Sequence, residues 1–328
     1  MSESNKIWLF GTGYWASILI AKIYKQFPGQ RVKVIDKDFT SLLNFVEKNK
    51  LCDKSDQLEF EEKAKEGDIC FIVTPPNSHF DLVNKALELG CHCWVEKPIS
   101  TKSEDAQVLI EKAKSKSRTL FVDNTFLFDP LISLLRPNNG TRDSIVEVNS
   151  RRQGWGKVLK DYGVLWDLLP HDLAIINNFF GKIKNYELIS VIFGPSEVGL
   201  DKTALAATLK FMTTENVKVL VELSCISKAK VRMIQKISSA GLETYELTKA
   251  GSTLTTEDWN TVPGNFGLQQ GRSALITNFE DNLENALGCF VSLLGTGSLH
   301  SSLEFAVEEV EIIENLHLAS LSRIGLKI

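Results

Sequence analysis

No apolar stretch of this chain approaches the ~18 residues that would mark a membrane span, so no membrane partner is expected. Positive charge is not in surplus: 37 Lys and Arg stand against 41 Asp and Glu, for a net charge of -4. Without a basic patch, nucleic acid is a poor partner as well. Cysteine is sparse and scattered, at 52, 70, 91, 93, 225 and 289, and only Cys91 and Cys93 are close. Those two share one face of an apparent strand, and no second cluster completes a tetrahedral set. Reduced buried thiols and no metal are therefore expected. The opening Met1 to Lys6 is polar, and a cytoplasmic location is the default expectation. What remains is an ordinary globular composition, 43% apolar and 24% charged, in 328 residues. That length exceeds the ~250 to 300 residues at which a single core stops growing, so two domains are expected.

The first 124 residues carry the most legible pattern. Lys6 to Phe10 is a short apolar run. Gly11-Thr12-Gly13-Tyr14-Trp15-Ala16 follows at once, and Ile18, Leu19, Ala21 and Ile23 recur at helical spacing. That is a strand, a tight turn and a helix. In such a GxGxxA turn Gly11 permits the bend, Gly13 lets a pyrophosphate approach the backbone, and small Ala16 lets helix and strand pack closely. The helix N-terminus offers free N–H groups and a positive dipole end to phosphate. A second strand, Arg31 to Ile35, ends in Asp36, at the distance where a Rossmann acid grips the adenosine ribose. Asp36 would repel a 2'-phosphate and so favours NAD over NADP, while the Lys37 cation pulls the other way; Asp36 can also simply open the turn that follows. Asp68 to Val73 runs into Thr74-Pro75-Pro76-Asn77, Cys91 to Val95 runs into Glu96-Lys97-Pro98, and Thr119 to Val122 closes the unit just before Asn124. Strands alternating with helices imply a parallel sheet that binds ligands beyond its strand C-termini, where these motifs fall.

From 125 to 328 the pattern changes. Ser144 to Gln153, Asn185 to Phe193, Ala204 to Met212, Val217 to Ile226, Val231 to Ile237 and Glu243 to Thr248 read as strands, several of them alternating apolar with polar. The expected fold is thus α/β: an N-terminal Rossmann parallel sheet over 1–124 and a C-terminal α+β domain over 125–328 with a large, open, mainly antiparallel sheet. Such an open face suits a homodimer or homotetramer. Two helices, about Ser273 to Leu294 and Leu299 to Ser320, are expected to finish the chain. A helix from Pro170 to Phe180 has proline in its first turn, Gly181 as its stop, and a stripe of Leu173, Ile176 and Phe180. Asp167 then lies at or just before its start, where Asp caps well. His171 sits in its first turn, where the dipole favours a neutral imidazole able to accept a proton. Arg152 ends a strand before the Gly154 to Gly163 loop that leads to Trp166-Asp167. Its planar fork suits a diphosphate, although Arg151 and Arg152 can equally be solvent-facing.

Taken together, Gly11-x-Gly13-x-x-Ala16, Thr74-Pro75-Pro76-x-x-His79, Glu96-Lys97-Pro98 and Asp167-x-x-x-His171-Asp172 resemble the Gfo/Idh/MocA oxidoreductases, in family order. The resemblance implies a dehydrogenase or reductase that moves a hydride between nicotinamide and a secondary alcohol or ketone of a sugar. It implies that Lys97 stabilises the developing alkoxide, that His171 is the base and that Asp167 orients; either Lys97 or His171 can take the proton. Thr74, Pro75, Asn77 and Glu96 would line the cofactor, with Thr12, Tyr14, Trp15, His79 and Asn124 in the same candidate set. Val122 to Pro130, Ser150-x-Arg152 and Val164 to Asp167 are similar to a subset associated with nucleotide sugars, so a nucleotide-linked hexose is the expected substrate, with Arg152 and Trp166 among its contacts. Two departures stand out. Thr125-Phe126-Leu127 occupies the place where many members carry an arginine, and Asp123-Asn124 the place where that subset often has Gly-His. An NAD-dependent glycosidase without net redox, and a non-catalytic NAD-binding regulator, fit the same resemblance.

Overall fold

The computed structural model describes residues 5–136, 145–156, 162–260, 269–296 and 300–325, and side chains within them except at 258–260, 269–273 and 301–302. It divides into two compact units, Met1–Thr125 with Asn282–Glu311, and Phe126–Asp281 with Ile312–Ile328. Among the described residues no helix is long and apolar enough to cross a membrane.

In the first unit the strands β1 (Ile7–Phe10), β2 (Val32–Ile35), β3 (Cys52–Lys54), β4 (Ile69–Ile72), β5 (His92–Glu96) and β6 (Leu120–Asp123) form one parallel sheet in the order β3-β2-β1-β4-β5-β6. Helices α1 (Tyr14–Gln26), α2 (Phe39–Lys48), α3 (Gln57–Lys63), α4 (His79–Glu88) and α5 (Ser103–Ser115) make the crossovers. β1 and β4 are buried along their whole length, as expected of strands covered on both faces. Buried Asp68 satisfies its charge by accepting hydrogen bonds from the Lys6 N–H at 2.8 Å and from Trp8 Nε1 at 3.0 Å. β3 and α3 were not expected from the sequence, because three residues with one buried side chain leave almost no periodicity to read.

The second unit begins with α6 (Pro130–Ser133), β7 (Ile145–Trp155), α7 (Gly163–Asp167) and α8 (Leu169–Phe179). Then come β8 (Ile183–Phe193), β9 (Ala204–Thr213), β10 (Lys218–Ser224), β11 (Ile226–Ser238), β12 (Gly241–Thr248), β13 (Gly251–Asn260) and β14 (Gln269–Asn278). These eight strands form a single sheet, β14-β13-β12-β11-β7-β10-β9-β8, antiparallel except where β10 pairs with β7. Alternation sorts its faces. Val148, Ser150 and Arg152 of β7 and Val219, Val221 and Leu223 of β10 are buried on one face, while Arg151 and Glu222 form an ion pair on the other.

Three expectations are corrected. The helix expected from Ser273 starts at Asn282, and 269–278 is the edge strand β14 paired with β13. The last helix, α10, runs Ala306–Ser322. Finally, the cut at 124/125 does not leave everything after it in one domain. α9 (Asn282–Leu293) belongs to the first unit: Phe290 packs edge-on against Phe71, Trp94 and Phe121, Thr119 Oγ1 donates to the Leu293 carbonyl at 3.0 Å, and Lys25 pairs with Glu284. An amphipathic helix goes where its apolar stripe finds a matching surface, and here that surface is an aromatic cluster distant in sequence. The expected strand start at Ser144, the middle of the 154–163 loop and the expected helix start at Leu299 lie outside the described residues.

Candidate active site

The first unit gathers its candidate residues at the C-terminal ends of its strands. After β1, Gly11 adopts φ +99, and a Cβ there would lie 2.8 Å from the Val73 carbonyl oxygen. Both features demand glycine. Gly11→Ala is expected to destabilise the protein by about 1–3 kcal/mol and to lower its melting temperature, with cofactor affinity falling alongside; a thermal melt unchanged by the substitution would mean that the turn relaxes freely. Gly13 differs: a Cβ would meet nothing within 4 Å, and as N-cap of α1 it supplies no side-chain cap. Bare backbone over open space at an uncapped helix N-terminus is what an approaching phosphate needs, so this loop fits a dinucleotide. Tyr14 and Trp15, at the start of α1, are exposed.

Asp36 is tied to that loop. Its Oδ2 accepts from the Thr12 N–H at 2.8 Å and from Thr12 Oγ1 at 2.6 Å, and its Oδ1 accepts from the Asp38 N–H at 2.8 Å. A carboxylate accepts about four hydrogen bonds, so roughly one site is left for a ribose hydroxyl. Neighbouring Lys37 is exposed.

Beyond β4, Pro75 and Asn77 are exposed, and Ser78 Oγ bonds Thr74 Oγ1 at 2.7 Å. His79, expected from the sequence among the cofactor contacts, is the surprise of this loop. It is fully buried, with Nδ1 2.8 Å from the Pro98 carbonyl and Nε2 2.8 Å from the Thr74 carbonyl. It therefore ties the Thr74 loop to the Lys97-Pro98 segment. Burial lowers its pKa, so the ring stays neutral and donates through one nitrogen at a time. Half-buried Lys97 follows β5 directly. Glu96 and Asp123 face each other across β5 and β6, and Asn124 is buried with an Oδ1 that has no hydrogen-bond partner among the described residues. Asp123 was not singled out from the sequence, although its parity with Phe121 and its place opposite Glu96 follow from strand register.

In the second unit Arg152, proposed from the sequence as a diphosphate contact, is neither at a strand end nor exposed. β7 continues to Trp155, and Arg152 is only 4% exposed. Its Nε donates to Asp172 Oδ2 at 3.0 Å and its Nη2 to Asp172 Oδ1 at 3.3 Å, while the guanidinium lies 4.2 Å over the Phe126 ring. Ser150 Oγ also donates to Asp172, at 2.6 Å. Alternation along β7 turns Arg152 inward, where buried Asp172 takes its fork. Phe126 in turn meets the His171 ring edge-on, with centroids 4.7 Å apart. Asp172 and Phe126 were missed from sequence.

His171 does lie in the first turn of α8, but Asp167 does not cap it. Asp167 ends the separate short helix α7, and the N-cap of α8 is Leu168, which offers no side-chain bond. α7 exists because Gly163, at φ +57, begins it in close contact with β9: a Cβ there would lie 2.5 Å from the Ala204 carbonyl oxygen. Trp166, at 6% exposure and with its ring 6.2 Å from that of His317, packs inside the unit.

Residues 6–124 match the model of the Gfo/Idh/MocA oxidoreductases, a family with an NAD-binding Rossmann fold. The match is to this family's NAD-binding domain and covers the first unit's sheet. It is 32% identical over 110 residues to the UDP-N-acetylglucosamine 3-dehydrogenase of Acidithiobacillus ferrooxidans, covering 34% of this chain and 35% of that one. It is 26% identical over 193 residues to the uncharacterised oxidoreductase YdgJ of Escherichia coli, covering 55% of each. The matches thus span about a third to a half of these relatives' lengths. Among solved structures, the UDP-N-acetylglucosamine 3-dehydrogenase GnnA from Acidithiobacillus ferrooxidans has a TM-score of 0.75 at 17% identity, covering 96% of this chain and 95% of that one. KijD10, a 3-ketoreductase from Actinomadura kijaniata in complex with NADP and TDP-benzene, has a TM-score of 0.77 at 13% identity, covering 95% and 96%. At these identities the two structures share the fold: a Rossmann-like parallel sheet followed by a large, mainly antiparallel sheet.

Proposed function

We propose that this protein is an NAD(P)-dependent oxidoreductase of the Gfo/Idh/MocA type that interconverts a secondary alcohol and a ketone on a sugar, and that its substrate is a nucleotide-linked hexose. The observation that carries the reading is the constellation at the C-terminal ends of the first unit's strands: an open Gly13 turn fitted to a dinucleotide, and Lys97 at the end of β5, inside the stretch that matches the oxidoreductase model. The nucleotide-linked substrate is supported by the relatives, one named for UDP-N-acetylglucosamine and another holding TDP-benzene.

A bound nicotinamide supplies the hydride acceptor or donor. The chain's own groups then handle the oxygen. Lys97 hydrogen-bonds the reacting hydroxyl and stabilises charge on it as the C–H bond breaks, an interaction that strengthens in the transition state. His171 takes the hydroxyl proton and Asp167 orients it, with Lys97 the alternative acceptor. Asp36 accepts from the adenosine ribose through its remaining lone pair and favours NAD over NADP. Fluorescence titration is expected to give a lower Kd for NAD; a lower Kd for NADP would assign control of the pocket to Lys37 and its neighbours. The substrate is tested by assaying UDP- and TDP-hexoses against inositol and free glucose. Preference for a free polyol would remove the nucleotide from the proposal and leave the oxidoreductase. We further propose that the outward sheet face bearing Arg151, Glu222, Leu220 and Met233 pairs copies of the chain in a homodimer or homotetramer. Sedimentation as a monomer at micromolar concentration would exclude this.

A further inference from the structure

Glu96 and Asp123 end neighbouring parallel strands at directly opposed positions and are 9% and 1% exposed. Thr125 Oγ1 donates to Asp123 Oδ1 at 2.7 Å, while Asp123 Oδ2 is buried with no hydrogen-bond partner among the described residues, opposite the buried Glu96 carboxyl. Two bare carboxylates have no hydrogen to put between them, and a proton on one would supply the donor that Asp123 Oδ2 lacks. We propose that Glu96 and Asp123 share a single proton and act as a positioning pair for Lys97, keeping one negative charge next to its ammonium group. Two charges here would repel at short range in a desolvated pocket, and none would withdraw the negative charge that the pair contributes beside Lys97.

The electrostatics of the surroundings agree. Burial pushes Glu96 well above the ordinary carboxylate range, and the charge of Asp123 pushes it further, against the pull of Lys97. Burial also raises Asp123, to about 6, against the bond from Thr125 and the charge of Lys97. The groups acting on the pair are thus Lys97 and the Thr125 hydroxyl. His79, bonded to the neighbouring Pro98 carbonyl, is held neutral by its burial. The two carboxyls titrate as a unit: first to one shared proton, then, at much higher pH, to none.

The proposal rests on the oxidoreductase reading only in giving Lys97 a chemical task, and the pair itself is tested without substrate. Infrared spectra of the full chain between pH 4.5 and 9 are expected to keep a protonated-carboxyl band above pH 7 that Glu96→Gln loses. In Asp123→Asn the like charge is gone, so the Glu96 band is expected to vanish at a pH lower by about one unit or more. Thr125→Val, which removes a donor to ionised Asp123, is expected to move the lower step upward, and it serves if Asp123→Asn does not fold by circular dichroism. Absence of a band above pH 7 in the wild type, or a Glu96 step that stays put in Asp123→Asn, would overturn the shared proton. In the pH profile of kcat/KM, an acid limb near 6 is expected to move upward in Asp123→Asn; an unmoved limb would remove the link to Lys97. If no oxidoreductase activity is found while the infrared shifts hold, the chemical reading fails and the shared proton stands.

Discussion

Lys97→Ala is expected to lower turnover by a factor on the order of 10² or more while leaving dinucleotide affinity near wild type. The two effects separate because they arise in different parts of the first unit. On the proposed reading the dinucleotide is held around β1 and β2, where Gly13 leaves α1 uncapped and Asp36 braces Thr12. Lys97 follows β5, in a segment fixed by the His79 bond to Pro98 and by the Glu96–Asp123 pair. An alanine there leaves those supports intact and removes only the ammonium group. Lys97→Arg is expected to fail as well, since a guanidinium keeps the charge but neither fits the same point contact nor yields a proton. Steady-state kcat for each variant, with cofactor Kd by fluorescence, decides the matter. Near-wild-type turnover in Lys97→Ala would make the lysine structural and move the chemistry elsewhere.

What the sequence made legible follows from how local each constraint is. The turn after β1 could be read because Gly11, Gly13 and Ala16 answer to the backbone within a few residues, and the apolar spacing of α1 is a property of that helix alone. That the strands of the first unit run parallel followed from the alternation of strand and helix, while their order in the sheet did not. β13 and β14 escaped because their threonines and half-exposed apolar residues leave no clear buried stripe, and edge strands owe their state to their neighbours. α9 escaped for a different reason: its amphipathic pattern shows that it must pack, and says nothing about which surface receives it. The burial of Arg152 was legible. Val148, Ser150 and Arg152 alternate on one face of β7, and Val148 is plainly a core residue, so parity alone turned the arginine inward. Asp172 carries the matching signal, since it falls between Leu169 and Leu173 on the buried stripe of α8. Two charged residues each on an apolar face imply one another; only the docking of α8 on β7 shows that they meet.

That pair sets the largest stability effect expected in the second unit. Asp172→Ala leaves the buried Arg152 guanidinium without its counter-charge and Ser150 Oγ without its acceptor, and is expected to cost about 3–5 kcal/mol. Arg151→Ala, which removes the half-exposed pair with Glu222 one residue away, is expected to cost about 0–1 kcal/mol, because water already screens both groups. Replacing both partners with apolar residues of similar size, Arg152→Met with Asp172→Leu, is expected to recover most of the loss, since no charge is then left buried. Urea denaturation followed by circular dichroism measures all three, and a double-mutant cycle isolates the coupling. A loss below about 1 kcal/mol for Asp172→Ala would show that the pair is open to water in solution. The double variant also separates folding from chemistry. Arg152 stacks on Phe126, Phe126 meets the His171 ring, and Asp172 is the next residue along α8, so the pair aims the histidine as well as closing the core. A Met/Leu variant that regains stability but keeps a depressed kcat, with KM unchanged, is the result expected if that aim matters. Full recovery of kcat would confine Arg152 and Asp172 to packing.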